Sequence, residues 1–382
     1  MEKFRILIVD NMDSPAPGIP ELLQSFPHIK NIIHASSPES VEKKIVGIPP
    51  DIAFFNIDMS LADILLSLKS FSTSALGIVL FSRGHSTMAR RILKSLDLGE
   101  FDFLEQPDSL DDSDGIEICK KRLSTIFRNY SSRRLLKKTI ARKIPARSFY
   151  KSKKSLQPLH PATKTMAGAA VEIGKAPVKG KMPAKIEAVI IGISTGGPLA
   201  LRQMLPGFPE DFPVPVFIIQ HMPKFISHSL AESLAKGVKL SVVEGEHGAP
   251  VQNGKIYLAP GGKHMHVVHN AGLSGPFEIA LSSGEKVNFC RPSVDVFLKS
   301  AKKVYAGNVL VVIMTGMGAD GLEGIKVLKE KGAYCLIQDK ETSTVFGMPG
   351  SILSAGLADE VLPLAELAPR IVTIVKNLWA NS

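Results

Sequence analysis

Apolar residues along this chain come in short unbroken runs, separated by stretches with helical spacing. The first run, FRILIV at residues 4–9, stops at Asp10, and others follow at 31–35, 52–55, 77–81 and 101–104. A run of four to six apolar residues without alternation is what a strand covered on both faces requires. The intervening stretches, such as 61–69 and 86–96, carry the helical period, and 112–130 closes the series as a helix. This alternation predicts a doubly wound α/β domain over residues 1–130.

A second series starts near residue 185. EAVIIGI (187–193), VPVFIIQ (214–220) and NVLVVIM (308–314) read as buried strands, with weaker strands near 239–243, 256–258 and 264–268 and a further one at 333–338. Helices are expected over 198–205 and 322–331. Residues 185–382 therefore form a second α/β domain of parallel-sheet, Rossmann-like type. Between the two, residues 131–184 mix Lys and Arg with Ser, Pro, Ala and Gly and lose the apolar period. That composition reads as a basic flexible linker.

The charge of the chain sharpens this division. The 382 residues carry a net +10, but residues 1–119 hold −8, residues 120–186 hold +18 with Glu172 as their sole acid, and residues 187–382 are neutral. The basicity lies in a connector. It lacks a helix-turn-helix pattern and the aromatic interleaving that stacks bases, so no nucleic-acid partner is expected. Three scattered cysteines, Cys119, Cys290 and Cys335, make neither a disulfide framework nor a CxxC site. The N-terminus shows no signal peptide, and no apolar stretch approaches about 20 residues, so a cytoplasmic protein without a membrane span is expected.

Candidate chemistry gathers at strand ends of the second domain. Ser194 follows EAVIIGI, His221 follows VPVFIIQ, and Asp320 lies in TGMGADG after NVLVVIM. The carboxyl edge of a parallel sheet is where such residues can meet. A serine hydroxyl needs an imidazole to take its proton, and a carboxylate fixes the imidazole's tautomer. GISTGG also matches G-x-S-x-G between a strand and a helix, although the order Ser…His…Asp departs from the α/β-hydrolases. The alternative, a phosphate loop of a nucleotide-binding enzyme, leaves His221 and Asp320 without a role. His264, His266 and His269 lack the cysteine or acidic companions of a metal site, so neither metal nor cofactor is expected.

Together EAVIIGISTGG, FIIQHMP, GKIYLAPGGKHM, RPSVDVFLKSA, MTGMGADGLEG and VFGMPGSIL resemble the catalytic domain of the CheB-type chemotaxis protein-glutamate methylesterases. The first domain resembles a response-regulator receiver, the usual partner in that family. The resemblance implies hydrolysis of glutamyl methyl esters on the cytoplasmic helices of methyl-accepting chemotaxis receptors, with release of methanol, and deamidation of receptor glutamines. It implies Ser194 as nucleophile, His221 as base and Asp320 as orienting carboxylate. Thr195 and Met317 take positions beside the oxyanion and the imidazole. A contact with a chemosensory histidine kinase belongs to the same implication.

The receiver-like half departs from its pattern. The phospho-acceptor position is Asn56, whose amide cannot form an acyl phosphate. The acidic pair after the first strand is Asp10-Asn11, and Gln106 replaces the usual lysine, while Ser82 keeps the hydroxyl position. Asp58 stands two residues past the acceptor position, and Asp13 three past Asp10. A phosphorylation-independent pseudo-receiver is the expectation.

Overall fold

The computed structural model describes residues 3–10, 19–45, 49–69, 77–82, 102–105, most of 115–130, and 182–379 apart from 223, 225 and 271–274. The helical pattern at 86–96, Asn11, Asp13, Gln106 and nearly all of the 131–184 linker lie outside the described residues.

The N-terminal sheet has strands β1 (Phe4–Val9), β2 (Ile29–Ala35), β3 (Ile52–Asn56), β4 (Gly77–Ser82) and β5 (Asp102–Glu105). All pairs are parallel, in the order β2-β1-β3-β4-β5, one of the two common doubly wound arrangements. Side chains along β1 alternate between two cores. Phe4, Ile6 and Ile8 pack with Ile52, Phe54 and Phe127, whereas Leu7 and Val9 pack with Ala53, Phe55 and Ile64. Burial on both faces explains why β1 is apolar at every position but the half-buried Arg5, because period-two geometry then asks for apolar residues on both sides.

The C-terminal sheet has seven parallel strands: β6 (Ala188–Ile193), β7 (Val216–Gln220), β8 (Ser241–Glu244), β9 (Lys255–Leu258), β12 (Val309–Ile313), β13 (Tyr334–Gln338) and β14 (Glu360–Leu362). Their order is β14-β13-β12-β6-β7-β9-β8. A separate antiparallel pair, β10 (His264–His269) and β11 (Phe277–Ser282), stands outside it. The chain starts in mid-sheet at β6, works outward through β7, and crosses back to β12 on the other side of β6. The switch point between β6 and β12 is where an open α/β sheet forms its crevice. Val189, Ile191 and Ile193 face one core, and Ala188 and Ile190 the other.

Four helices of this domain carry no prediction above: Ile226–Ala235, Val294–Tyr305, Gly347–Ser354 and Leu364–Trp379. Among the described residues, no helix is long and apolar enough to cross a membrane.

Candidate active site

Ser194 directly follows β6, between the edges of its two neighbours. Its amide donates to Thr315 O at 3.0 Å, and its own carbonyl accepts from Gly197 N at 2.8 Å, closing a tight turn. Glycine is required at two places in that turn. Gly196 has φ +79°, the left-handed region that side chains disfavour. A Cβ on Gly197 would lie 1.9 Å from Gln220 Oε1. The helix Gly197–Met204 starts here without a side-chain cap. The amides of Thr195 and Gly196 donate to no other group among the described residues. Ser194 is only 4 % exposed. The left-handed residue is Gly196 rather than the serine.

His221 directly follows β7, and its amide donates to Ile193 O at 3.1 Å, next to Ser194. Its ring is spoken for on both sides. Nε2 lies 2.7 Å from Asp320 Oδ2, and Nδ1 lies 3.4 Å from Cys290 Sγ. No hydrogen bond joins Ser194 Oγ to the ring in this arrangement. The fold thus brings His221 and Asp320 into contact and sets Ser194 on the adjoining strand end.

Asp320 is 2 % exposed and saturated with donors. Oδ1 accepts from Asn288 Nδ2 at 2.9 Å, Ser293 Oγ at 2.8 Å and the Asp295 amide at 3.2 Å. Oδ2 accepts from the Val294 amide at 2.7 Å as well as from His221. Two of these donors are amides at the start of the helix Val294–Tyr305, where unpaired N–H groups favour an anion. Burial would raise the Asp320 pKa, but the His221 hydrogen bond and charge, with Asn288 and Val294, hold it far below the usual carboxylate range. Asp295, nearby, is pushed upward by its own burial. Burial likewise would lower His221, but the charge of Cys290 and the hydrogen bond to Asp320 outweigh it and push the imidazole up to about 10.

Several supporting residues carry no prediction above. Gln220 donates through Nε2 to Ser194 O at 2.9 Å and His221 O at 3.1 Å, tying the two strand ends together. Thr315 donates through Oγ1 to Thr195 O at 2.9 Å. Asn288 bridges Asp320 and, at 2.8 Å, Asp295 Oδ2. Cys290 could have been suspected only from its place beside the RPSVD segment. Thr195 Oγ1, beside the serine, is buried and has no hydrogen-bond partner among the described residues. Met317 is half-buried in the loop that follows β12. A Cβ on the adjacent Gly316 would lie 2.8 Å from Ser194 Cβ, so this loop closes over the serine.

His221, Cys290 and Asp320 place a nitrogen, a sulfur and an oxygen within 4.8 Å of one another, a donor set that suits a borderline-soft divalent ion. Asp320, however, is already engaged by five protein donors, which fits orientation of the imidazole better than metal ligation. His264 and His266 are engaged elsewhere, with Glu285 O at 2.8 Å and Ser282 Oγ at 2.9 Å.

At the carboxyl edge of the N-terminal sheet, Asn56 Nδ2 donates to Asp10 Oδ1 at 2.7 Å, and Asn56 Oδ1 accepts from the Asp58 amide at 2.9 Å. The side chain in the phospho-acceptor position is thus buried and bonded to the strand-one carboxylate. Ser82 is buried at the end of β4.

Residues 189–371 match the model of the CheB methylesterase family. Over 380 residues the chain is 35 % identical to the protein-glutamate methylesterase/protein-glutamine glutaminase of Desulfotalea psychrophila, covering 98 % of this chain and 100 % of that one. This chain belongs to the CheB methylesterase family. The protein of the same name from Trichodesmium erythraeum is 34 % identical over 377 residues, 97 % of this chain and 99 % of that one. Among solved structures, the Thermotoga maritima CheB methylesterase catalytic domain shares 38 % identity, with a TM-score of 0.48, over 50 % of this chain and 100 % of that one. The likeness to curated CheB proteins thus extends beyond the catalytic half, through the receiver-like domain and the linker.

Proposed function

We propose that the C-terminal domain hydrolyses glutamyl methyl esters, and deamidates glutamines, on chemoreceptor helices through Ser194, His221 and Asp320. The observation that carries this reading is the buried carboxylate–imidazole pair at 2.7 Å, set beside a serine at the switch point of the sheet. With Nε2 committed to Asp320, the nitrogen left to take the Ser194 proton is Nδ1. Attack by Oγ on the ester carbonyl gives a tetrahedral oxyanion next to the free amides of Thr195 and Gly196. His221 then returns the proton to the departing methanol, and a water attacks the acyl-enzyme by the same route. The chemistry calls for no cofactor. A glutamine side chain follows the same path, with ammonia leaving instead of methanol.

The domain boundaries support a division of labour in which residues 185–382 act, residues 131–184 connect and residues 1–130 form a scaffold. The Asn56–Asp10 hydrogen bond supports a pseudo-receiver that works without an aspartyl phosphate. Methyl-accepting receptors are the proposed substrate, a chemosensory kinase a proposed contact, and the cytoplasm the proposed site of action. The decisive experiment measures methanol release from a methylated receptor fragment by full-length protein and by Ser194→Ala. Equal rates would refute the assignment of Ser194 as nucleophile.

A further inference from the structure

The three cysteines occupy different surroundings. Cys119 and Cys335 are buried, and burial pushes Cys119 up to about 11 and Cys335 higher still. Cys290 is partly exposed, with Sγ 3.4 Å from the one nitrogen of His221 that Asp320 does not hold. Sulfur, imidazole and carboxylate thus form a chain of the kind that turns a thiol into a nucleophile.

The backbone holds the sulfur in place. The Val287 and Cys290 amides each donate to the other's carbonyl, at 3.1 and 2.9 Å. The two residues between them, Asn288 and Phe289, have φ of 53° and 61°. Left-handed backbone at two successive non-glycine residues is costly. Here Asn288 is anchored to Asp320 and Asp295. The carboxylate that orients His221 therefore also fixes the turn that delivers Cys290 to its other side.

We propose that Cys290 is a reversible thiol-modification site, at which a low-molecular-weight disulfide caps the sulfur and blocks His221 from serving Ser194. The Cys290 thiol passes its proton to His221 Nδ1, and the sulfur attacks one sulfur of the disulfide R–S–S–R. A Cys290–S–S–R bond forms as the original S–S bond breaks, and the departing thiolate takes up a proton. One disulfide is consumed and one is made, so no further oxidant is needed, and a second thiol reverses the step. The thiol chemistry stands on the geometry alone; its effect on hydrolysis rests on the triad proposed above.

Full-length protein treated with oxidised glutathione tests both parts. Intact-mass and peptide mapping should find one glutathione per chain at Cys290, formed about tenfold faster than on a cysteine in a short unstructured peptide. Methanol release should fall on the same time course and return with dithiothreitol, while Cys290→Ser keeps its own starting rate through the treatment. His221→Gln should slow the adduct about tenfold, and the pH dependence of iodoacetamide labelling in unmutated protein gives the same readout without a substitution. An adduct no faster than the peptide control, or a complete adduct with undiminished methanol release, would overturn the proposal. If untreated protein released no methanol, the hydrolase reading would fail instead, and the labelling rates would still judge the thiol.

Discussion

Asp10 and Asp320 both follow interior strands of parallel sheets, yet their surroundings differ in kind. Asp10 is partly exposed and receives the side-chain amide of Asn56, at the position where a receiver carries its phospho-acceptor. Asp320 is sealed from solvent, and each donor around it fixes the direction of one imidazole. The two domains share an architecture and differ in what stands at the strand ends, which is where function resides in such folds. In the first, an amide satisfies the carboxylate and closes the site. In the second, the carboxylate's hydrogen bonds hold one imidazole nitrogen and leave the other, beside Cys290, for chemistry.

The most severe way to break this contrast is at the serine. Ser194→Ala should lower methanol release by about 10⁶-fold, as loss of a nucleophile does in serine hydrolases generally. Asn56→Ala, measured in the same assay, should leave the rate within about twofold, because no reacting group depends on it. Asp320→Asn should cost about 10⁴-fold, since an amide can present its NH₂ to the ring and favour the wrong tautomer. Comparable losses at Asn56 and Asp320 would erase the distinction between a closed and a working site.

Smaller changes sharpen it. Asn288→Ala removes a donor from both Asp320 and Asp295, leaving two buried carboxyl groups with one fewer partner each. A hydrogen bond to a charged group is worth roughly 1.5–3 kcal/mol, so kcat should fall by about 10- to 100-fold, with KM changed less. A fall confined to KM would place Asn288 at the substrate instead. In the other domain, Asn56→Asp replaces a donor 2.7 Å from Asp10 with a second carboxylate. Repulsion should lower the stability of that domain by about 2 kcal/mol. Millimolar Mg²⁺ should restore much of this in a thermal melt, since paired carboxylates suit a hard divalent ion.

How much of this is legible in the sequence depends on the range of the interactions. The fully buried strands are readable because they are nearly continuous apolar runs, and the observed bounds differ from the expected ones by only a residue or two. Ser194, His221 and Asp320 stand at strand ends and carry recognisable chemistry. The helices at 294–305 and 364–379 keep regular apolar stripes, Val294, Phe297, Leu298 and Ala301 in one and Leu367, Ile371, Ile374 and Val375 in the other, although charged residues between them and Pro369 break any continuous apolar run. Gln220, Asn288 and Cys290 give no local signal of their partners. Cys290 lies 69 positions from His221, and Asn288 32 positions from Asp320, so only the folded loop brings them to the site. The three scattered cysteines look chemically idle in sequence for the same reason.

The mildest test concerns pH, and it follows from the two neighbours of His221. Asp320 is held below its unfolded value near 3.9, so its stabilising contribution is present above that pH and is lost as pH falls through the folded value. His221 is raised to about 10, so its contribution is complete below about 6.5 and is lost as pH climbs through 10. Catalysis runs the other way, because a base must be neutral to accept the Ser194 proton. Between pH 6.5 and 10, kcat/KM should therefore rise while the C-terminal domain loses stability. Cys290→Ala removes the sulfur beside Nδ1 while leaving Asp320 in place, so both curves should move to lower pH together. A kcat/KM profile and a denaturation series across that range, on both proteins, check the coupling. If only the activity curve moved, Cys290 would act on substrate rather than on the ionisation of His221.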